Sequence, residues 1–286
     1  LTIALLLLCG FQLATWIPHY LTWPWFADHD VFATLALGWE HGQLPYRDLA
    51  GNNFPGSIYL FWLIGKVFGW GRTVPLYAVD TSFVVIFGAT LLLWSRCRFG
   101  RILPGVVGFA VFLSYYLGRN FDGVAQRDWH GPFFILTGLL LAEAYPGRWS
   151  HALAALAAAI AFAIRPQVVL FLPALALAVA QGAHTEARDA GEATPWQARI
   201  RTIRALLGAG LLLALFVALA ALPLVLAEVF DDFLHGIRLT FYGSRYNTAH
   251  SAGILKQMLL QSLHLEFVLV PLAVLVLASL ASPRAA

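Results

Sequence analysis

Two carboxylates, Asp28 and Asp30, stand where the first apolar run of the chain gives way to polar residues. A carboxylate at a helix end beside lipid costs desolvation free energy unless it is paired, hydrated or used. Partial burial also raises its pKa towards the range of a general base. The plainer reading is that both acids mark the water boundary, with His29 between them an interfacial residue. The residues that follow weigh against it. Asp28 to Tyr59 contains a short amphipathic run, a Gly42/Pro45-Tyr46-Arg47-Asp48 turn and a second turn at Asn52-Asn53-Phe54-Pro55-Gly56. A bare connector between membrane helices takes a few residues, whereas this stretch spends about thirty on acid, amide and aromatic groups.

Three other polar stretches carry groups of the same kind. Segment 119–130 holds Arg119, Asp122, Gln126, Arg127, Asp128, Trp129 and His130. Asp128 and His130, two residues apart, could offer a metal two ligands, a spacing of low specificity. Otherwise the segment is a hydrated turn with an Arg–Asp pair and a Trp anchor. Arg165-Pro166 closes an apolar run, and a guanidinium there either binds a lipid phosphate bidentately or snorkels to the interface. Stretch 228–264 interleaves Asp231, Asp232, Arg238, Tyr242, Arg245 and Tyr246. That mixture suits a phosphate-bearing lipid, a sugar stacked on aromatic rings, or an amphipathic surface helix.

Apolar blocks at 1–22, 55–70, 74–95, 102–118, 131–146, 151–165, 166–182, 205–227 and 265–281 separate these stretches. The 286 residues are 60% hydrophobic and 12% charged, with mean hydropathy +0.74. Soluble domains average about 25% charged residues. The pattern predicts an all-α polytopic membrane protein, one domain over 1–286 with about eight membrane helices. Block 55–70 extends only about 24 Å against a hydrocarbon core of about 30 Å, so it reads as an interfacial or re-entrant helix. The stretches 22–73, 119–130 and 228–264 then share one face, and the connectors 96–101, 147–150 and 183–204 share the other. Arg96, Arg98 and Arg101, with no acid among them, mark a cytoplasmic connector and turn the long polar stretches outward. Trp196 to Arg204 reads as a solvated connector with a positive-inside anchor, or as an amphipathic helix on the inner leaflet. A net charge of +3 without a basic stripe excludes a nucleic-acid partner. Cys9 and Cys97 suggest neither a disulfide nor a metal site. The leading Leu, and an end soon after an apolar block, suggest a chain trimmed at both ends. Its richness in Ala, Arg and Leu suggests a bacterial source, hence an inner (plasma) membrane location.

The order of polar groups resembles a known family. Asp28-x-Asp30-Val31-Phe32-Ala33, Gly42-x-x-Pro45-Tyr46-x-Asp48, then Asn53-x-Pro55 and Tyr59 resemble the first outer loop of GT-C fold glycosyltransferases. These include the protein O-mannosyltransferases and the aminoarabinose transferases of lipid A. Gln126-Arg127-Asp128-Trp129-His130 resembles their second outer loop, and Arg165-Pro166 a basic residue followed by Pro. The detailed match covers about fifty residues. The resemblance implies a GT-C-like bundle that moves a sugar, with inversion, from a polyprenyl-phosphate donor to a lipid, glycan or protein acceptor on the periplasmic face. It implies Asp28 as catalytic base, with Asp30 the nearest substitute, and Asp128 as the second-loop acid that binds acceptor or a divalent metal ion, the one candidate cofactor. Arg47, Arg119, Arg127, His130, Arg165, Arg238, Tyr242, Arg245 and Tyr246 are the candidates for donor phosphate or substrate. Two positions depart from the pattern. His29 stands where relatives usually have Glu, and Phe54 where they often have Lys, so Arg47, Arg119 or Arg165 must supply the phosphate contact. The alternative function is a non-catalytic protein that binds or transports a lipid-linked sugar.

Overall fold

The computed structural model of the protein describes residues 1–239 apart from 50, 52, 120, 146 and 190–193. Block 265–281 and the candidates Tyr242, Arg245 and Tyr246 lie outside the described residues. Among the described residues the architecture is helical: α1 (Thr2–Tyr20), α2 (Ala27–Glu40), α3 (Gly56–Phe68), α4 (Val74–Phe99), α5 (Leu103–Leu117), α6 (Arg127–Ala144), α7 (Arg148–Ile164), a 3₁₀ turn (Pro166–Phe171), α8 (Leu172–Asp189) and α9 (Pro195–Leu226). A further helical run covers 230–239.

Among the described residues, four helical stretches are long and apolar enough to cross a membrane: α1, α4, Pro166–Ala187 and Trp196–Leu226. Helices α3, α5 and α7 are apolar but shorter. The most apolar stretch of α9 is only 6% buried, and Leu207, Leu211, Leu215 and Leu219 stand exposed at four-residue spacing. Such a stripe is costly in water and at home in lipid. The protein is therefore a helical membrane protein.

Helix α6 lies centrally, against α4, α7 and α8; α9 covers α7 and α8, α5 joins α4 to α1, and α2 lies on α3. Small residues permit the close approaches, as expected where packing rather than water drives helix association. A Cβ added at Gly138 of α6 would meet Ala157 of α7 at 3.0 Å. The aromatic core joins α1, α4, α5 and α6 through Tyr20, Phe87, Phe112, Tyr116 and Phe133.

Several boundaries differ from those the hydropathy predicts. Asp28 and Asp30 lie in the first turn of α2, within a helix. Helix α4 runs on to Phe99, so Arg96 and Arg98 occupy its last turn, and Gly100 ends it with a left-handed φ of 66°. Arg127 to His130 form the first turn of α6 instead of a loop. Trp196 to Arg204 are the opening turns of α9, with no separate surface helix. In α4, α6 and α9 polar residues extend an apolar helix beyond its hydrophobic stretch, because the backbone ladder continues wherever its end groups can be solvated.

Tyr20, the last residue of α1, donates its hydroxyl proton to Asp80, near the start of α4. The chain between them, α2 and α3 included, therefore begins and ends on one face. Helix α3 has 13 residues, a rise of about 20 Å and short of a bilayer core. Lys66 and Trp62 of α3 both bond Glu40 at the end of α2, stitching the two helices together. On the opposite face Arg98 pairs with Glu143 at 3.6 Å, and the Ser95 hydroxyl donates to the Arg101 carbonyl at 2.8 Å.

Candidate active site

Asp28 reaches its place through a local device. Phe26 is extended, and its N–H donates to His29 Nδ1 at 3.2 Å, so the histidine ring caps the helix that carries the acid. Side chains two residues apart on an α-helix point about 200° from one another. Asp28 is half-buried and lines a cavity, whereas Asp30 is exposed and does not. The second polar segment supplies the other walls. Asp28, Arg119, Asp122 and Asp128, with the rings of Phe26 and Trp129, line an open cavity of about 300 Å³. That lies at the lower end of the roughly 300–1,000 Å³ seen for small-molecule sites.

Two more cations act on the acids of this cavity. The Arg165 guanidinium forms an ion pair with Asp128. Its position follows from Pro166, which disfavours helical backbone in the residue before it. Helix α7 stops at Ile164 and Arg165 is extended, with φ −143° and ψ 99°. Gly131 leaves the room: a Cβ there would sit 2.8 Å from the Cβ of Arg165. Arg127 lies over the ring of Phe32 at 5.4 Å. Its Nε and Nη1 are buried without a hydrogen-bond partner. Burial and Arg165 oppose its charge, while Asp28 and Asp128 favour it. The structure thus brings Asp28, Arg119, Arg127, Asp128 and Arg165 together from α2, the 119–126 segment, α6 and the end of α7.

Other candidates serve different ends. Arg47 donates to Asp232 at 2.9 Å and to the Glu228 carbonyl, clamping the segment after α2 to the one after α9. Tyr46 and Phe54 pack against Phe233 beside that clamp. The Gly42/Pro45-Tyr46-Arg47-Asp48 turn is a structural unit. Gly42 adopts φ 85°, the Asp48 carboxylate accepts the Leu44 N–H at 2.7 Å, and the Tyr46 hydroxyl donates to the Asn53 carbonyl at 2.8 Å. Arg238 is exposed on helical run 230–239. His130 is the main correction. It is buried, and its Nε2 lies 2.9 Å from Asp80 Oδ1, turned away from the cavity. Here His130 faces Asp80 and Asp128 faces Arg165, so the two side chains do not converge on one point. Among the described residues no three His, Cys, Asp or Glu side chains form a ligand group.

Two buried polar groups leave only faint traces in the sequence. Asp80 is fully buried in α4. Its Oδ2 accepts the hydroxyl protons of Tyr20 and Tyr116, the latter at 2.6 Å. His29 is no interfacial residue: it is 1% exposed, against Phe61 and Tyr77. Burial pushes its pKa down to about 4; the nearby His130 adds to this, and the Ala125 backbone, Asp80 and Asp28 oppose it. An acid inside an apolar block and a histidine between two acids are the only traces of either in the chain.

Fold and cavity together define a helical membrane protein with a polar pocket at one face. No protein-family model, curated protein or solved structure matches the chain.

Proposed function

We propose that the protein is a membrane glycosyltransferase that moves a sugar from a polyprenyl-phosphate carrier to a cell-envelope acceptor. The observation that carries this reading is a cavity lined by Asp28, Asp128 and Arg119, whose acids also interact with Arg165 and Arg127. Inverting transfer needs a base for the acceptor hydroxyl and cations for a departing phosphate. In this mechanism the acceptor oxygen attacks the anomeric carbon as Asp28 takes its proton. The bond from that carbon to the carrier phosphate breaks with its electron pair going to the phosphate oxygen, and polyprenyl phosphate leaves against Arg119, Arg127 and Arg165. Phe26 and Trp129 offer rings on which a sugar face stacks. The setting is a bacterial inner membrane with the cavity on the periplasmic face. No step requires a metal ion.

The buried Asp80–His130 pair favours a second reading, since ionisable groups inside a bilayer commonly mark transport paths. The alternative is thus a protein that binds or moves a lipid-linked sugar without cleaving it.

The test is transfer of label from polyprenyl-phosphate-sugars into envelope fractions, in membranes containing the protein. Asp28→Asn should lower transfer about a hundredfold or more, the range for loss of a general base. Asp30→Asn, on the exposed side of α2, should leave it within about twofold. Carrier binding by wild type without transfer from any donor would replace this reading by the second.

A further inference from the structure

Four helix ends meet at Asp80. It lies two turns into α4, and its partners are Tyr20 at the end of α1, Tyr116 at the end of α5 and His130 in the first turn of α6. The Tyr116 oxygen has a second partner: it accepts the N–H of Ala125 at 3.0 Å while donating to Asp80. Ala125 is buried, and its φ of 52° is one that an L-residue adopts only when its surroundings impose it. That conformation turns the chain into Gln126, the N-cap of α6. His130, five residues on, is held by the other oxygen of the same carboxylate. The stretch between these anchors carries Arg127 and Asp128; Trp129 within it packs against Phe112, Tyr116 and Phe133, while Asp128 is exposed and pairs with Arg165.

We infer that Asp80 and Tyr116 are positioning residues for the cavity: one buried carboxylate fixes both ends of the stretch 125–130 and so sets where Arg127 and Asp128 point. Neither residue touches the cavity. Tyr116→Phe tests this gently, because it keeps the stacked ring and removes only the oxygen, leaving the Ala125 amide buried without its acceptor.

The first measurement is independent of any activity. A cysteine replaces Gln126, which is buried between the two anchors, and its labelling by a maleimide is followed in detergent-solubilised protein, with and without Tyr116→Phe. Cys97, exposed on the opposite face, is the internal reference. Loss of one buried hydrogen bond should speed labelling at position 126 about tenfold and leave Cys97 unchanged. An unchanged rate at 126, or an equal rise at both positions, overturns the inference. The second measurement rests on the transfer reading. Tyr116→Phe should lower transfer about tenfold in the parent and less than about twofold in the Asp128→Asn variant, because both changes then act on one group. Equal losses in the two backgrounds would mark a general destabilisation and overturn the inference. If the parent transfers no sugar, the glycosyltransferase reading fails alone, and the labelling result still decides the positioning role.

Discussion

His29 illustrates how one buried group ties stability to pH. Its ordinary pKa of 6.5 falls to about 4 in the folded protein, mainly through burial. Between those values the unfolded chain binds a proton that the folded chain refuses, so stability falls as pH drops through this window. At pH 5 the loss attributable to His29 is about 2 kcal/mol. Thermal unfolding of solubilised protein at pH 8 and pH 5 measures it. The wild type should lose several degrees more than His29→Gln, and parallel losses would remove His29 as the cause. The same residue shows what a sequence can and cannot reveal. Asp28, Arg119, Asp128 and Arg165 stand out because charge at the edge of an apolar block is conspicuous, and the structure gathers all four. His29, Tyr20 and Tyr116 do not stand out, since their roles come from neighbours distant in the chain, and hydropathy records no lateral contacts. Asp80 could be noticed as an acid within a helix, but not as the partner of three hydrogen-bond donors.

Helix α3 owes its seat to a single glycine. A Cβ at Gly56 would lie 2.6–2.7 Å from backbone atoms of Ala163 and Ile164, at the end of α7 just before Arg165. Backbone cannot rotate aside as a side chain can, so Gly56→Ala must push the two helices apart. The cost is about 1–3 kcal/mol, the usual range for overpacking. Arg165 should shift with the end of α7, lowering transfer more than this destabilisation alone would. Gly10→Ala is the comparison: nothing lies within 4 Å of its added Cβ. Thermal unfolding should separate the two variants, and equal melting temperatures would mean that α3 and α7 are not held as described. The helices themselves were largely legible as apolar blocks. Their ends were not, because the polar first turn of α6 and last turn of α4 look like loop to any measure of hydropathy. Only the hydrogen-bond ladder, with Gln126 capping α6 and Gly100 closing α4, defines where those helices begin and stop.

The arrangement of the whole chain in the bilayer turns on the path from α1 to α4. The Tyr20–Asp80 bond, and the bond from the Tyr77 hydroxyl to the Pro24 carbonyl, return the chain to the face it left. An α3 that crossed the membrane once would place the start of α4 on the far side and break both. His41 and Arg72 flank α3 and are exposed. With Cys97 replaced by serine, His41→Cys and Arg72→Cys should both react with an impermeant maleimide added to spheroplasts. Native Cys97, between Arg96 and Arg98, should react only after the membrane is opened, because dense arginine favours the cytoplasmic side. Labelling of only one of positions 41 and 72 would mean that α3 crosses, and would separate Asp28 from the start of α4. Labelling of Cys97 but of neither introduced thiol would invert the orientation and turn the cavity inward, keeping its geometry while replacing the periplasmic acceptor with a cytoplasmic one. The cavity is built from the segments at 26–28 and 119–129 sharing a face, so this pattern decides which acceptors can reach Asp28 before any sugar is tried.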